Sequence, residues 1–144
     1  MNGDNITSIE EKKEEIKNAA TEEKKLTDPT EQVKRLASGE LLLENPIKSG
    51  AQSYDKISYD FRKITGWDYA DAMDSDSKNS NLFWITAKQA LSLFAVAASK
   101  ATPGMSSMDV KEQIGMGDTM NAVRIATAFF IASTRAGNMR ISNA

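Results

Sequence analysis

The stretch from residue 81 to residue 100, NLFWITAKQALSLFAVAASK, is the longest apolar run in the chain and the one that most constrains the fold. Its apolar residues recur at i, i+3, i+4 and i+7 spacing, which is typical of one helical face. Further apolar side chains widen that face, so only Lys88, Gln89 and Ser92 leave a narrow polar strip. A helix about 30 Å long that is apolar on most sides needs neighbours on several sides. The sequence therefore predicts a central helix over residues 81–100.

A membrane span is the alternative interpretation of this run. Its seven strongly apolar residues favour insertion by about 3 kcal/mol in total, whereas Lys88 near the middle opposes insertion by roughly 2.5–3.5 kcal/mol. Because the two contributions nearly cancel, a buried core helix is the better interpretation. Membrane contact is therefore not favoured, although a membrane-active exported protein whose apolar C-terminal half inserts stays as an alternative.

The segments on the N-terminal side of this run are also predicted to be helical. Asp28-Pro29-Thr30-Glu31 has the features of a helix start, a short capping side chain followed by proline at the first helical position. The apolar spacing then continues to about residue 44, where Asn45-Pro46 ends the helix. Residues 49–65 are predicted to form a second amphipathic helix, because four apolar residues there recur with helical spacing: Tyr54, Ile57, Phe61 and Ile64.

The C-terminal segments complete the predicted architecture. A short helix follows Ser106 or Ser107, and a long helix capped by Asp118 continues to about residue 137. We found no strand-like alternation, so the predicted fold class is all-α, a compact helical bundle of about five helices around residues 81–100.

The 144-residue chain has two parts that differ in their content of charged and apolar residues. Residues 1–28 alternate glutamate with lysine and carry few apolar side chains, which predicts a charged, loosely attached arm that is flexible or marginally helical. Residues 29–144 are predicted to form a single helical domain.

The composition excludes several kinds of chemistry. The chain contains neither histidine nor cysteine, so a histidine-dependent triad, a thiolate nucleophile and a thiolate zinc site are all excluded. The polar segment DSDSKNSN at residues 74–81 does not fit a calcium-binding EF-hand loop, because Lys78, Asn79 and Ile85 occupy positions that need other residues. We therefore predict no catalytic, cofactor-binding or metal-binding residues, no cofactor and no enzymatic activity.

The charge is small overall but unevenly distributed. The formal net charge of −2 provides no basic field that would recruit nucleic acid, so a nucleic-acid partner is not expected. The N-terminal part is acidic, whereas residues 119–144 contain three arginines and no acidic residue. The first residues, MNGDNITSI, lack the features of a cleaved signal peptide, which predicts cytoplasmic synthesis, with export through an uncleaved signal left open.

These observations favour a non-enzymatic helical protein that binds other proteins or assembles with copies of itself. Phe129, Phe130 and Ile131 point in three directions about 100° apart, so one buried side of the last helix cannot accommodate all three. We expect a homo-oligomer in which this helix meets the acidic N-terminal half of a second copy, through these candidates: Met120, Val123, Arg124, Phe129, Phe130, Ile131 and Arg135. The alternative is a small ligand-binding domain or enzyme with an aromatic pocket near Trp67, Trp84 and Phe94.

Overall fold

The computed structural model describes residues 28–79 and 84–140. Five α-helices and two β-strands follow one another within these residues, with a short 3-10 helix, Phe61–Lys63, after the second strand. The elements in chain order are α1 (Pro29–Leu36), β1 (Ser38–Ser49), β2 (Gln52–Asp60), α2 (Gly66–Asp74), α3 (Ala87–Ala101), α4 (Ser107–Gln113) and α5 (Met116–Arg140). The predicted arm lies outside the described residues, apart from Asp28.

The β-hairpin formed by β1 and β2 shows that the all-α prediction was wrong. The strands pair antiparallel from Ser38 opposite Asp60 to Ser49 opposite Gln52, and Gly50 in the turn has a φ of 64°. A positive φ is a conformation that glycine adopts at little cost, so Ser49-Gly50 was a turn signal inside the segment that we predicted as helix. The fold thus combines α-helices with a two-stranded sheet.

Both N-terminal helix predictions were affected by this error. The first helix ends at Leu36 instead of continuing to residue 44, and the predicted helix over residues 49–65 is mainly strand β2. The spacing of Ile57 and Phe61 fits a helix, but Ile57, Tyr59 and Phe61 also alternate with polar residues, as on one face of a strand. The side chains of Ile57 and Phe61 are buried in the core. The strand alternation was therefore the correct period.

A wide bulge interrupts the hairpin where it meets α5. Residues 43–46 of β1 lie opposite the single residue Asp55 of β2, between the pairs formed by Leu42 and Ile47. The backbone N–H of Glu44 turns outward and donates to both carboxylate oxygens of Asp118, at 2.9 and 3.2 Å. Bulges redirect a strand locally, and this one attaches β1 to the first turn of α5. Asp118 therefore lies inside α5 and not at the predicted capping position before it.

Helix α3 is the element around which the others pack, because it lies against β2, the 3-10 helix, α2, α4 and α5. It begins at Ala87 and not at residue 81; residues 80–83 lie outside the described residues, and Trp84, Ile85 and Thr86 precede the helix. Thr86 is the N-cap, and it forms a capping box with Gln89. Small side chains on this helix are fully buried and permit close approach of its neighbours: Ala90, Ala95, Ala97 and Ala98.

The aromatic part of the core joins the hairpin to the two long helices. Phe94 of α3 is fully buried, and its ring centroid lies 5.4 Å from that of Tyr59 in β2. The ring of Phe61 stacks on Phe129 of α5 at 4.6 Å with an interplanar angle of 11°. Offset and tilted aromatic pairs of this kind add to the free energy gained by burial. Among the described residues, no helix is long and apolar enough to cross a membrane.

Candidate functional site

One solvent-facing side of α5 combines apolar side chains with arginines. Met120, Arg124, Ile131 and Arg135 are exposed, and their spacing of four, seven and four residues places them on a single helical face. We call these four residues the α5 stripe. Met116, 78% exposed, continues the apolar surface at the N-terminal end of the helix. No part of the chain that the structure describes covers this face of α5.

The arginines of the α5 stripe have no acidic partner in the part of the chain that the structure describes. No carboxylate of residues 28–79 or 84–140 lies within 4.0 Å of the guanidinium of Arg124 or Arg135. The nearest acidic residue along α5, Asp118, is 1% exposed and holds the Glu44 N–H. The α5 stripe is therefore a positively charged surface with exposed apolar side chains within it.

The other predicted interface residues on α5 face the inside of the fold. Val123 is half-buried against the core, Phe129 is half-buried against Phe61, and Phe130 is 8% exposed. Of the three consecutive residues 129–131, only Ile131 points to solvent, at 38% exposure. The structure therefore divides the seven predicted residues into four on the surface and three in or beside the core.

An apolar cleft lies beside the buried side of α5. It encloses about 250 Å³ between α5, α3, α2 and the segment that follows β2. Tyr69 is its only titratable lining residue; the lining consists of Phe61, Ile64, Tyr69, Leu93, Phe129, Phe130, Ser133 and Thr134. The Thr134 hydroxyl donates to the carbonyl of Phe130 at 3.0 Å. The cleft can therefore hold an apolar group, and it offers no acid–base pair for catalysis.

The predicted aromatic pocket near Trp67, Trp84 and Phe94 does not form. Phe94 is fully buried, whereas Trp67 and Trp84 are 81% and 60% exposed. Trp67 lies in the first turn of α2, and the carbonyl of Trp84 is within 3.4 Å of the Asn79 amide beyond the other end of that helix. The three rings therefore do not surround a common space.

Helix α2 carries a second exposed stripe, formed by Trp67, Asp71 and Asp74. The spacing of four and three residues places these side chains on one face, and all three are exposed. We call them the α2 stripe. The neighbouring Asp68 has a different role, because it accepts the N–H of Thr65 at 3.0 Å and lies 3.5 Å from the ammonium of Lys100. The Thr65 N–H holds the pKa of Asp68 below its ordinary value.

The sequence analysis did not detect the α2 stripe. The periodicity of Trp67, Asp71 and Asp74 was present in the sequence, but it becomes visible only when the helix is known to begin at Gly66. No group of three acidic side chains in residues 28–79 and 84–140 is arranged to hold a metal ion.

The hydroxyl of Ser49 lies next to a carboxylate, an arrangement that can activate a serine as a nucleophile. It donates to Asp109 at 2.6 Å and accepts the N–H of Ser106 at 3.0 Å. Ser49 is 5% exposed, and both of its partners belong to the start of α4. These hydrogen bonds therefore attach α4 to the end of β1 and do not form a reactive site.

Comparisons with known proteins identify no relative. No family model matches the chain, and no curated protein or solved structure is significantly similar to it. The geometry of the two stripes and the cleft therefore provides the basis for a functional proposal.

Proposed function

We propose that this protein is a non-enzymatic assembly subunit that binds copies of itself through the α5 stripe. The observation that supports this proposal is the exposed, apolar and positively charged face of α5, which lies in a stretch of the sequence, residues 119–144, that contains no acidic residue. Protein interfaces characteristically combine apolar side chains with arginine, and both occur here on one rigid helix.

The α5 stripe is available for binding because the core contacts of α5 are made by its opposite side. Helix α5 packs against α3, α1 and β1, and its buried positions there include Ala122, Ala126 and Phe130. The α5 stripe includes Met120 and Ile131, which are 48% and 38% exposed, so complete burial by a partner would contribute roughly 0.6–1.4 kcal/mol each, the corresponding fraction of the value for a fully exposed side chain. This gain in free energy favours association, and the arginines of the α5 stripe favour a partner surface of negative charge.

Sedimentation velocity over a wide concentration range tests the proposal. The wild-type protein should show a concentration-dependent rise in mean mass, and Met120→Asp or Ile131→Asp should shift the protein to monomer because each places a carboxylate in the apolar part of the stripe. Met108→Asp is the matched control, since Met108 is a similarly exposed methionine, at 55%, on α4. A wild-type monomer at every concentration would contradict the proposal.

The cleft supports a second candidate function, the binding of a small apolar ligand. Its volume of about 250 Å³ lies just below the range of roughly 300–1,000 Å³ that is usual for small-molecule sites. A ligand retained through purification should appear by mass spectrometry after denaturation, and Ser133→Trp, which fills the cleft, should abolish its retention. Ser53→Trp on the exposed hairpin is the control. An empty wild-type protein would rule out a stably retained ligand.

A further inference from the structure

The α2 stripe carries negative charge at the end of the helix where such charge is least favourable. Asp71 and Asp74 lie in the last turn of α2, and that turn contains no basic residue. The carbonyl groups at a helix C-terminus carry a partial negative charge, so carboxylates there are repelled and a nearby cation is favoured. Neither aspartate has an ion-pair partner among the described residues. A cation supplied from outside the domain would relieve this repulsion.

The exposed tryptophan beside these carboxylates adds an apolar contact surface. Trp67 is 81% exposed, the highest fraction among the large apolar side chains that the structure describes. Tryptophan is enriched among the residues that dominate binding free energy, because its ring buries a large area. The α2 stripe therefore combines an aromatic anchor with two negative charges that have no ion-pair partner in residues 28–79 and 84–140.

The two stripes match each other in charge and in spacing. Seven residues separate Trp67 from Asp74, and seven residues separate Ile131 from Arg124, so both pairs span about 10.5 Å along their helices. If α2 of one copy lies antiparallel to α5 of another, Trp67 covers Ile131 while Asp74 reaches Arg124. Arg135, one turn beyond Ile131, is then positioned to contact the indole ring of Trp67.

We propose that the α5 stripe of one copy binds the α2 stripe of another copy. This inference rests on the proposed function and adds the identity of the second surface. A contact between two α5 stripes would place arginine near arginine, which opposes association. The N-terminal arm is a weaker acidic partner, because residues 1–27 contain seven acidic and five basic residues, whereas residues 64–77 contain four aspartates and no basic residue.

Two charge-reversed variants of the full chain test this pairing. The first combines Arg124→Glu with Arg135→Glu, and the second combines Asp71→Lys with Asp74→Lys. All four side chains are exposed, so both variants should keep the wild-type melting temperature to within a few degrees. Each variant alone brings like charges together, and its dissociation constant for self-association should rise at least about tenfold.

An equimolar mixture of the two variants gives the decisive measurement. Every α5–α2 contact between the two variants again joins opposite charges, so sedimentation should show mixed complexes with an affinity near that of the wild type. In a Trp84→Phe background, Trp67 is the one remaining tryptophan of the chain, and its emission should shift to the blue on mixing as its ring becomes buried.

Three results would overturn the inference, and they separate it from the proposed function. If the Asp71→Lys, Asp74→Lys variant associates like the wild type, the α2 stripe is not involved, although the α5 stripe remains an interface. If the mixture associates no better than the separate variants, the stripes do not pair with each other. If the wild type is monomeric throughout, both the pairing and the self-associating function are wrong.

Discussion

Replacement of the buried polar residue Gln89 by methionine should destabilise the fold, although methionine is the more apolar side chain. Gln89 is 1% exposed and joins three segments of the chain. Its Oε1 accepts the N–H of Thr86 at 2.9 Å and the side-chain amide of Asn79 at 2.8 Å. Its Nε2 donates to the carbonyl of Met73 at 3.0 Å. One side chain thus caps the start of α3 and satisfies the end of α2.

The size of the effect follows from the hydrogen bonds that methionine cannot form. Gln89→Met keeps the length and the helix propensity of the side chain but leaves the Thr86 N–H without this acceptor. It also removes one of the donors to the Met73 carbonyl, which keeps the Asp76 N–H at 3.3 Å. An unsatisfied Thr86 N–H costs about 1–3 kcal/mol, and the lost hydrogen bond to the Met73 carbonyl costs about 0.5–1.5 kcal/mol. The added apolar burial of methionine offsets part of this sum. We therefore expect a loss of about 1–3 kcal/mol in the free energy of unfolding.

Urea unfolding followed by far-UV circular dichroism measures this loss, with Lys88→Met as the control at the adjacent, exposed position. The control should change the free energy of unfolding by less than about 0.5 kcal/mol. Hydrogen exchange gives an independent readout, because the amide of Thr86 should exchange faster in Gln89→Met. A loss below about 1 kcal/mol, or an equal loss in the control, would refute the reasoning that these hydrogen bonds hold α2 against α3.

Three further substitutions test the fold. Phe94→Ala should lower the free energy of unfolding by about 3–5 kcal/mol because the ring is fully buried, whereas Lys88→Ala should have little effect; equal losses in urea would show that the faces of α3 are misassigned. Gly104→Ala should lower the melting temperature because Gly104 has a φ of 81°, and an unchanged melting temperature would contradict this. Asp68 has a lowered pKa in the fold, so its contribution to stability is present above about pH 4 and is lost as the pH falls through the folded pKa. Urea unfolding between about pH 5 and pH 2 should therefore show a smaller decline for Asp68→Asn than for the wild type, and identical declines would argue against the role of the Thr65 N–H.

Local sequence signals predicted an element correctly where its conformation depends on residues within the same short segment. The start of α1 is confirmed, since Asp28 Oδ1 accepts the N–H of Thr30 at 2.9 Å and Pro29 is the first helical residue. The short helix α4 is also found where it was predicted. For α1 the capping group and the helix it caps lie within a few residues, so the sequence contains the whole interaction. Ser106, at the start of α4, forms no such side-chain capping hydrogen bond.

Predictions failed where the conformation depends on residues far along the chain. The segment from Ser38 to Asp60 fits both a helical and a strand period, and its strand form is stabilised by contacts with distant elements. Thr102, at the end of α3, shows this most directly: its hydroxyl accepts the N–H of Ser58 at 3.0 Å and donates to the Ser58 carbonyl at 2.7 Å. These hydrogen bonds satisfy the outer edge of β2, which an isolated hairpin would leave open to solvent.

The sequence alone determined the absence of histidine and cysteine chemistry, the basic character of the C-terminal region and the presence of an apolar helix among its neighbours. The tertiary structure decided which residues of α5 face solvent, since the packing of α3 and Phe61 against one side buries Phe130, half-buries Phe129 and leaves Ile131 exposed. It also decided that Trp67 and the α2 aspartates share an exposed face. Composition and local periodicity are properties of the chain itself, whereas exposure depends on which surfaces the folded elements bury against one another.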